Sequence, residues 1–228
     1  MQPPKESELK IVTTKDGSQT ILNDQLGSTY HSRHGALTES SHVFIDKGLK
    51  RLVDDGLNDI NILEMGFGTG LNALLTWQMA KELGLNIDYQ SLELFPVPEK
   101  VWYSYQLPDD LKLEQVDFEK LHQANWNEFV QIDESFRLTK YQVSLLDFQS
   151  DKKFNLVYFD AFEPETQPEL WTEEVFEKLF EMMKTGGILT TYCCKGYVRR
   201  NMIAAGFMVE KVPGPPGKRE MIVAQRPL

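Results

Sequence analysis

The sequence predicts an α/β protein, a doubly wound and mostly parallel sheet ending in an antiparallel strand, preceded by a small hairpin-and-helix extension. Three observations predict it. From Ile60 onward, short apolar runs alternate with stretches of helical periodicity, the order that builds a parallel sheet covered on both faces. Phe154–Phe159 is nearly continuous in apolar residues, as strands buried on both faces are. Gly-Pro-Pro-Gly at 214–217 reverses the chain between two final strands, which makes the last pair antiparallel.

The elements follow in order. Lys10–Leu22 reads as a hairpin, Lys10–Thr14 and Gln19–Leu22 about a turn at Asp16-Gly17. Leu37–Leu52 has apolar positions at helical spacing and would cover an edge of the domain. Ile60–Met65 is a strand ending in glycines, Leu71–Leu83 a helix and Ile87–Leu92 a second strand. A helix is expected over Pro98–Leu107, with proline near its start. The acidic segment Leu111–Phe129 reads as helix and loop, and Phe136–Val143 as a strand. After Phe154–Phe159, Trp171–Met183 is a helix stopped by Gly186-Gly187, and Ile188–Tyr192 the next strand. Tyr197–Ala205, Phe207–Lys211 and Arg219–Gln225 complete a helix and two strands. The organisation expected is an N-terminal extension over residues 1–58 and one domain over 59–228.

Composition narrows the class. Hydrophobic residues at 41% and charged residues at 25% match an ordinary globular protein. No apolar run is long enough to cross a bilayer, and the charged, proline-bearing Met1–Thr14 lacks the apolar core of a secretory signal. The two cysteines, Cys193 and Cys194, are adjacent, which suits neither a disulfide framework nor a metal cage. A cytoplasmic, reduced protein without metal is expected. The net charge of −10 opposes general affinity for nucleic acid. Yet Lys195, Arg199, Arg200, Lys218 and Arg219 form a local run of five cations near the C-terminus.

Glu64-Met65-Gly66-Phe67-Gly68-Thr69-Gly70 follows the first core strand and opens a helix. Glycines there let the backbone turn sharply and approach a ligand, with amides of the helix start facing it. The Lys-Ser/Thr pair of a phosphate-gripping loop is missing, and the third glycine falls one position early for the dinucleotide pattern. S-adenosylmethionine, which has no pyrophosphate to cradle, is the ligand expected, with a glycine-rich turn that binds nothing as the alternative. Glu93 ends the second strand, where a carboxylate accepts from ribose hydroxyls. Asp147, after Leu145-Leu146 at the end of a strand region, is a candidate for the adenine amine, with a loop or capping role as the alternative.

Phe159-Asp160-Ala161-Phe162-Glu163-Pro164 emerges at the carboxyl end of its strand, where ligands of such sheets bind. Asp160 is placed to hydrogen-bond an attacking amine and relieve it of a proton, and Phe162 and Pro164 to pack on a flat base. The alternative has Asp160 capping the next helix and Phe162 joining the core. Tyr30, His31, Ser32 and His34 cluster ahead of the core, either to close over a substrate or to bond locally. Trp171 is read as buried on its helix. The cations at 195–200 and 218–219 can meet RNA phosphates or stand as solvated charge.

These segments resemble the methyltransferase-domain family of MnmC, including its stand-alone MnmD-like members. The resemblance rests on Tyr30–Gly35 with Glu39-Ser40, on Glu64–Asn72, on Ser91–Pro96, and on Phe159–Phe162 with Pro164, Pro168 and Trp171. Gly196–Arg200 and Gly217–Met221 extend it across residues 30–221. It implies a class I methyltransferase, Rossmann-like in fold, that moves a methyl group from S-adenosylmethionine to the amine of 5-aminomethyl-2-thiouridine in the tRNA anticodon. It also implies cofactor contacts from Glu64, Gly66, Phe67, Gly68, Gly70, Asn72 and Glu93, and an amine contact from Asp160. Two-domain relatives add a flavin-dependent oxidoreductase; any flavin step is expected to belong to another protein, or the amine to arrive by a different route. The competing expectations are N-methylation of a small amine or protein side chain, an aminopropyltransferase, and a non-catalytic tRNA-binding module.

Overall fold

The computed structural model describes residues 3–108 and 113–228. The start of the acidic segment expected at Leu111 lies outside them. Three short strands, β1 (Leu9–Thr13), β2 (Gln19–Asn23) and β3 (Ser28–Thr29), form an antiparallel sheet of their own. The predicted hairpin is present, paired from Leu9 opposite Asn23 to Thr13 opposite Gln19. β3 is added at Leu22 and Asn23 and was not anticipated, two residues being too few to show a period.

A continuous helical run follows: α1 (Ala36–Ser40), a π-helical stretch at Ser41–Leu49, and α2 (Lys50–Asp54). A regular α-helix was expected, because apolar spacing alone does not distinguish the wider turn. The π stretch lies against the main sheet at Gly48, where a Cβ would stand 3.3 Å from Leu156 and Tyr158 and 3.4 Å from Thr190.

The main sheet contains β4 (Asp59–Met65), β5 (Asn86–Leu92), β6 (Phe129–Gln131), β7 (Phe136–Tyr141), β8 (Phe154–Phe159), β9 (Met183–Thr191), β10 (Met208–Pro213) and β11 (Glu220–Gln225), in the order β10-β11-β9-β8-β4-β5-β7-β6. β9, β8, β4, β5 and β7 are parallel, and β11 runs antiparallel between β9 and β10. From β4 the chain moves outward to β5 and β7, then returns to β8 on β4's other side. The topological switch point therefore lies between β4 and β8, where ligands of open α/β sheets bind. Register sets Met65 beside Leu92 and Phe159, and Leu92 beside Tyr141. Four strands thus end level, and the loops that leave them share one edge.

Alternate residues of each strand enter opposite layers. Ile60, Ile62, Tyr89 and Tyr158 face α3 (Leu71–Leu83) and the first helical run. Leu63, Val157, Phe159 and Leu189 face α6 (Glu173–Met182) and α7 (Gly196–Ala204). Every residue of β8 is buried. Its one amide, on Asn155, accepts from Asn61 N at 2.9 Å and Lys184 Nζ at 3.0 Å, so no polar atom opposes the apolar gain of about 1.5–3 kcal/mol per large side chain.

Several expected boundaries move. The helix expected over Pro98–Leu107 is one turn, α4 (Glu99–Tyr103), after which Tyr105 donates its hydroxyl to the Gln19 carbonyl. In the acidic segment α5 (Gln115–Gln123) is helical, but Phe129 opens β6 rather than closing a loop. The strand expected to run to Val143 ends at Tyr141. Trp171 precedes α6, whose N-cap is Thr172, with its side chain accepting from Val175 N. Gly186-Gly187 does not stop that helix. It ends at Met182 and β9 starts at once, with Gly186 N donating to the Arg226 carbonyl and Arg226 N to the Gly187 carbonyl.

Candidate functional site

Above the four level strand ends lies a cavity of about 720 Å³, within the range of small-molecule sites. Gly66, Phe67 and Gly68 form part of its wall, with Glu93, Asp147 and Asp160 from the neighbouring loops. Tyr30 and His31 of the N-terminal segment and Lys218 of the last hairpin close it from the other side.

The glycine loop is bare where it must be. Gly66 has φ +88°, and a Cβ there would stand 3.0 Å from the Asp160 carbonyl. Gly68 has φ +50°, with the Tyr30 ring 3.0 Å from where its Cβ would be. Either substitution would push the loop off the β8 turn or off Tyr30. Glu93 then fastens this loop to its own: Oε2 accepts from Gly68 N at 3.2 Å and Oε1 from Phe95 N at 2.9 Å. Burial raises the Glu93 carboxyl above its ordinary value, opposed by these amide hydrogen bonds.

The loop is braced from behind. His122 meets the Thr69 carbonyl at 2.9 Å and stacks on Trp102. Lys140, only 1% exposed, lies 5.0 Å from the Phe67 ring and 4.7 Å from Trp126, and donates to the Leu121 and His122 carbonyls at 2.8 Å. Burial lowers its ammonium to about 7. Neither residue was singled out from the sequence, where each reads as part of an ordinary amphipathic element.

At the centre, Asn72 Nδ2 donates to Asp160 Oδ2 at 2.9 Å. Burial, then the Glu39 charge, pushes the Asp160 carboxyl well above the usual carboxylate range, against the Asn72 hydrogen bond. Beneath it Glu64 is wholly buried, accepts from Ser91 Oγ at 2.6 Å, and is pushed up by burial to about 8. The loop carrying Asp160 is held by its backbone. Tyr192 donates to the Ala161 carbonyl at 2.8 Å, Trp171 Nε1 to the Phe162 carbonyl at 2.9 Å, and Phe162 N to Gln167 Oε1 at 3.2 Å. Phe162 meets Tyr30 edge-on, their centroids 5.2 Å apart. Asp160 caps no helix, and Phe162 is half-buried at the cavity rather than in the core.

The expected site residues divide. Gly66, Phe67, Gly68, Glu93, Asp147, Asp160, Tyr30, Phe162 and Lys218 line the cavity; Glu64, Gly70 and Asn72 support it from one layer deeper. Asp147 stands in a turn, its N–H donating to the Ser144 carbonyl, and not at a strand end. Pro164 is buried outside the lining, which removes it from base packing. Lys195, Arg199, Arg200 and Arg219 also lie outside the lining, and Lys195 is paired with Glu165. Lys218 is not a free surface charge, since its Nζ donates to Glu39 Oε1 at 2.6 Å and sits 4.0 Å from the Tyr192 ring centroid. Glu39 lines the cavity as well and accepts from Ser32 N at 2.7 Å. Its buried carboxylate was legible only as one member of a quoted motif.

Switch-point cavity, bare glycine turn and carboxylate at the end of the second parallel strand define an α/β enzyme that binds a nucleoside cofactor. A family model described as S-adenosyl-L-methionine-dependent methyltransferase matches residues 115–227, and the fold and cavity suit an enzyme of that type. The chain is similar to the tRNA 5-methylaminomethyl-2-thiouridine biosynthesis bifunctional protein MnmC of Aeromonas hydrophila, 29% identical over 91% of this chain and 34% of that protein. The Leptospira interrogans protein of the same name is 32% identical over 90% of this chain and 33% of its own length. The chain thus spans about a third of the curated relatives it matches. Among solved structures, MNMC2 from Aquifex aeolicus superposes with a TM-score of 0.82 at 26% identity, covering 97% of this chain and 72% of that one.

The residues fit S-adenosyl-L-methionine. Glu93 faces the cavity with oxygens able to accept from a hydroxyl pair, the glycine backbone leaves room beside it, and Leu92, Leu94 and Leu145 supply an apolar flank. Among the described residues no helix is long and apolar enough to cross a membrane, and no cluster of three or more His, Cys, Asp or Glu side chains is arranged to hold a metal.

Proposed function

We propose that this chain methylates the aminomethyl nitrogen of 5-aminomethyl-2-thiouridine in the anticodon region of tRNA, giving 5-methylaminomethyl-2-thiouridine. The observation that carries the reading is Asp160, fixed by Asn72 at the switch point and lining the same cavity as Glu93 and the glycine loop. The relatives named for biosynthesis of 5-methylaminomethyl-2-thiouridine support the choice of acceptor. A tRNA substrate implies action in the cytoplasm.

The bound cofactor supplies an electrophilic methyl group, which the acceptor nitrogen takes as the carbon–sulfur bond breaks. The chain's residues prepare that nitrogen. A primary alkyl amine has a pKa of about 10, so it arrives as an ammonium. Asp160 sits where burial disfavours its charge; pairing with an entering ammonium favours the carboxylate, whose own proton leaves to solvent as the ion pair forms. The carboxylate then takes one proton and frees the lone pair, while Asn72 keeps its other contact fixed. Tyr30 and Phe162, packed edge to face on the cavity wall, offer an aromatic surface to a planar base. Most of the acceleration comes from this placement.

The test is nucleoside mass spectrometry on tRNA bearing the aminomethyl nucleoside, incubated with the protein and S-adenosyl-L-methionine. A gain of one methyl on that nucleoside is the expected result. No gain with cofactor binding intact would overturn the choice of acceptor.

A further inference from the structure

The cations singled out from the sequence lie near the C-terminus, and the structure brings one of them, Arg219, together with residues of the N-terminal segment. Lys15 sits in the β1–β2 turn and Arg33 and His34 just before α1; all three are exposed. The fold joins them: Lys15 N donates to the Arg33 carbonyl at 3.0 Å, and Lys15 Nζ lies 3.4 Å from His34 Nδ1. An ammonium can only donate, so in this contact Nδ1 is the acceptor. Exposed Arg219 follows Lys218 in the last hairpin, and that hairpin packs on the same spot. Gly217 touches the His34 ring so closely that a Cβ would come within 2.6 Å of it.

The loop is rigid and its single acid is committed. Asp16 Oδ1 accepts from Thr14 Oγ1 at 2.6 Å and Ser18 Oγ at 2.5 Å, and Oδ2 from Thr38 N at 3.0 Å and its hydroxyl at 2.7 Å. These bonds hold its carboxyl well below the usual range. Among the described residues, neither Lys15, Arg33 nor Arg219 has a carboxylate in salt-bridge contact. The rim also meets the site, because Arg33 lines the cavity. The other charged lining residues, apart from the Glu39–Lys218 pair, are acids: Glu93, Asp147, Asp160, Glu163 and Glu169. A polyanion at the mouth is therefore repelled on one side and held on the other.

We propose that Lys15, Arg33, His34 and Arg219 form a phosphate-binding rim that seats the RNA backbone flanking the target nucleotide. The proposal rests on the reading that the acceptor is part of an RNA. The rim joins the N-terminal segment to the last hairpin, and contacts of this kind to phosphates position a strand without themselves reading its sequence. It also assigns work to the N-terminal extension that α7 was expected to do.

The test measures binding of unmodified bulk tRNA as a function of salt for the full chain, for Lys15→Ala/Arg219→Ala, and for Arg199→Ala/Arg200→Ala, with S-adenosyl-L-methionine affinity reporting an intact fold. Each lost phosphate contact lowers the slope of log affinity against log salt by about 0.7–0.9. The rim variant, short of two contacts, should lose about 1.4–1.8 in slope and at least about tenfold in affinity, while the α7 variant keeps both. Unchanged affinity and slope in the rim variant would overturn the rim while leaving the methylation reading intact. Methyl transfer to a free amine with no tRNA affinity in the full chain would instead remove the reading beneath it. A measurement independent of folding uses the unmodified protein: tRNA should shield Lys15 from acetylation, read by mass spectrometry. Equal labelling with and without tRNA would also overturn the proposal.

Discussion

Two carboxylates at the cavity differ in their partners. Glu93 is tied to two backbone amides and thereby shapes the glycine loop as well as offering oxygens to a ligand. Glu93→Ala should therefore weaken S-adenosyl-L-methionine binding at least about tenfold by calorimetry, close to 1.4 kcal/mol. Asp160 has a side-chain partner in Asn72 and is raised by burial and by Glu39. Asp160→Asn should lower methyl transfer at least about tenfold while cofactor affinity persists, the usual size for a positioned acid–base group. The sign of the pH effect follows from the same surroundings. A carboxyl whose ionisation is displaced upward accepts a proton only after losing its own, so the rate should climb with pH through the range where wild-type Asp160 ionises. Asp160→Asn should leave only the rise due to the amine, and identical pH profiles for the two proteins would remove Asp160 from proton transfer. At this scale the sequence was informative where a residue followed a strand. Asp160 and Glu93 were legible because strand ends are where such sheets bind ligands. Glu39 and Lys140 were not, since a carboxylate in a helix and a lysine in a strand acquire meaning only from neighbours 179 and 18 residues away.

Among the elements, the apolar strands were read closely and the junctions poorly. β8 announces itself by a nearly continuous apolar run and β4 by an apolar-rich one ending in glycines, whereas Met183–Gly187 looks like a helix end because its pairing comes in part from the Arg226 backbone beyond β11. The π stretch is a second case, invisible in apolar spacing but necessary to the packing at Gly48. With Leu156, Tyr158 and Thr190 already at 3.3–3.4 Å, Gly48→Ala should overpack the layer and destabilise the protein by about 1–3 kcal/mol in urea unfolding. No loss of stability would mean that the helical run shifts freely over β8 and β9.

Taken as a whole, the molecule keeps an uncharged acid at its centre. Glu64 ionises near 4.5 in the unfolded chain but only near 8 in the folded one. Below pH 4.5 both states hold the proton and the group has no effect. Between about 4.5 and 8 the unfolded state alone gives it up, so stability falls as pH rises. Glu64→Gln should flatten that slope in unfolding curves at pH 5 and pH 8; an unaltered slope would mean Glu64 is already ionised in the fold. The doubly wound order itself was legible throughout, because each strand–helix alternation carries a local signal. The three-stranded sheet and the joining of the two chain ends were less so, being made of short pieces whose partners are distant.

That joining governs how the enzyme comes into being on the ribosome. Glu39 and Lys218 meet across 179 positions, and His34 rests on the turn at Gly217. A nascent chain can complete β4, α3 and β8, with the glycine loop and Asp160 in place, while one wall of its cavity is still unmade. Competence then waits until the β10–β11 hairpin has left the exit tunnel and docks on residues made 179 positions earlier. A half-made methyltransferase would hold its reagents in an open dish, and only the finished one has a vessel with sides.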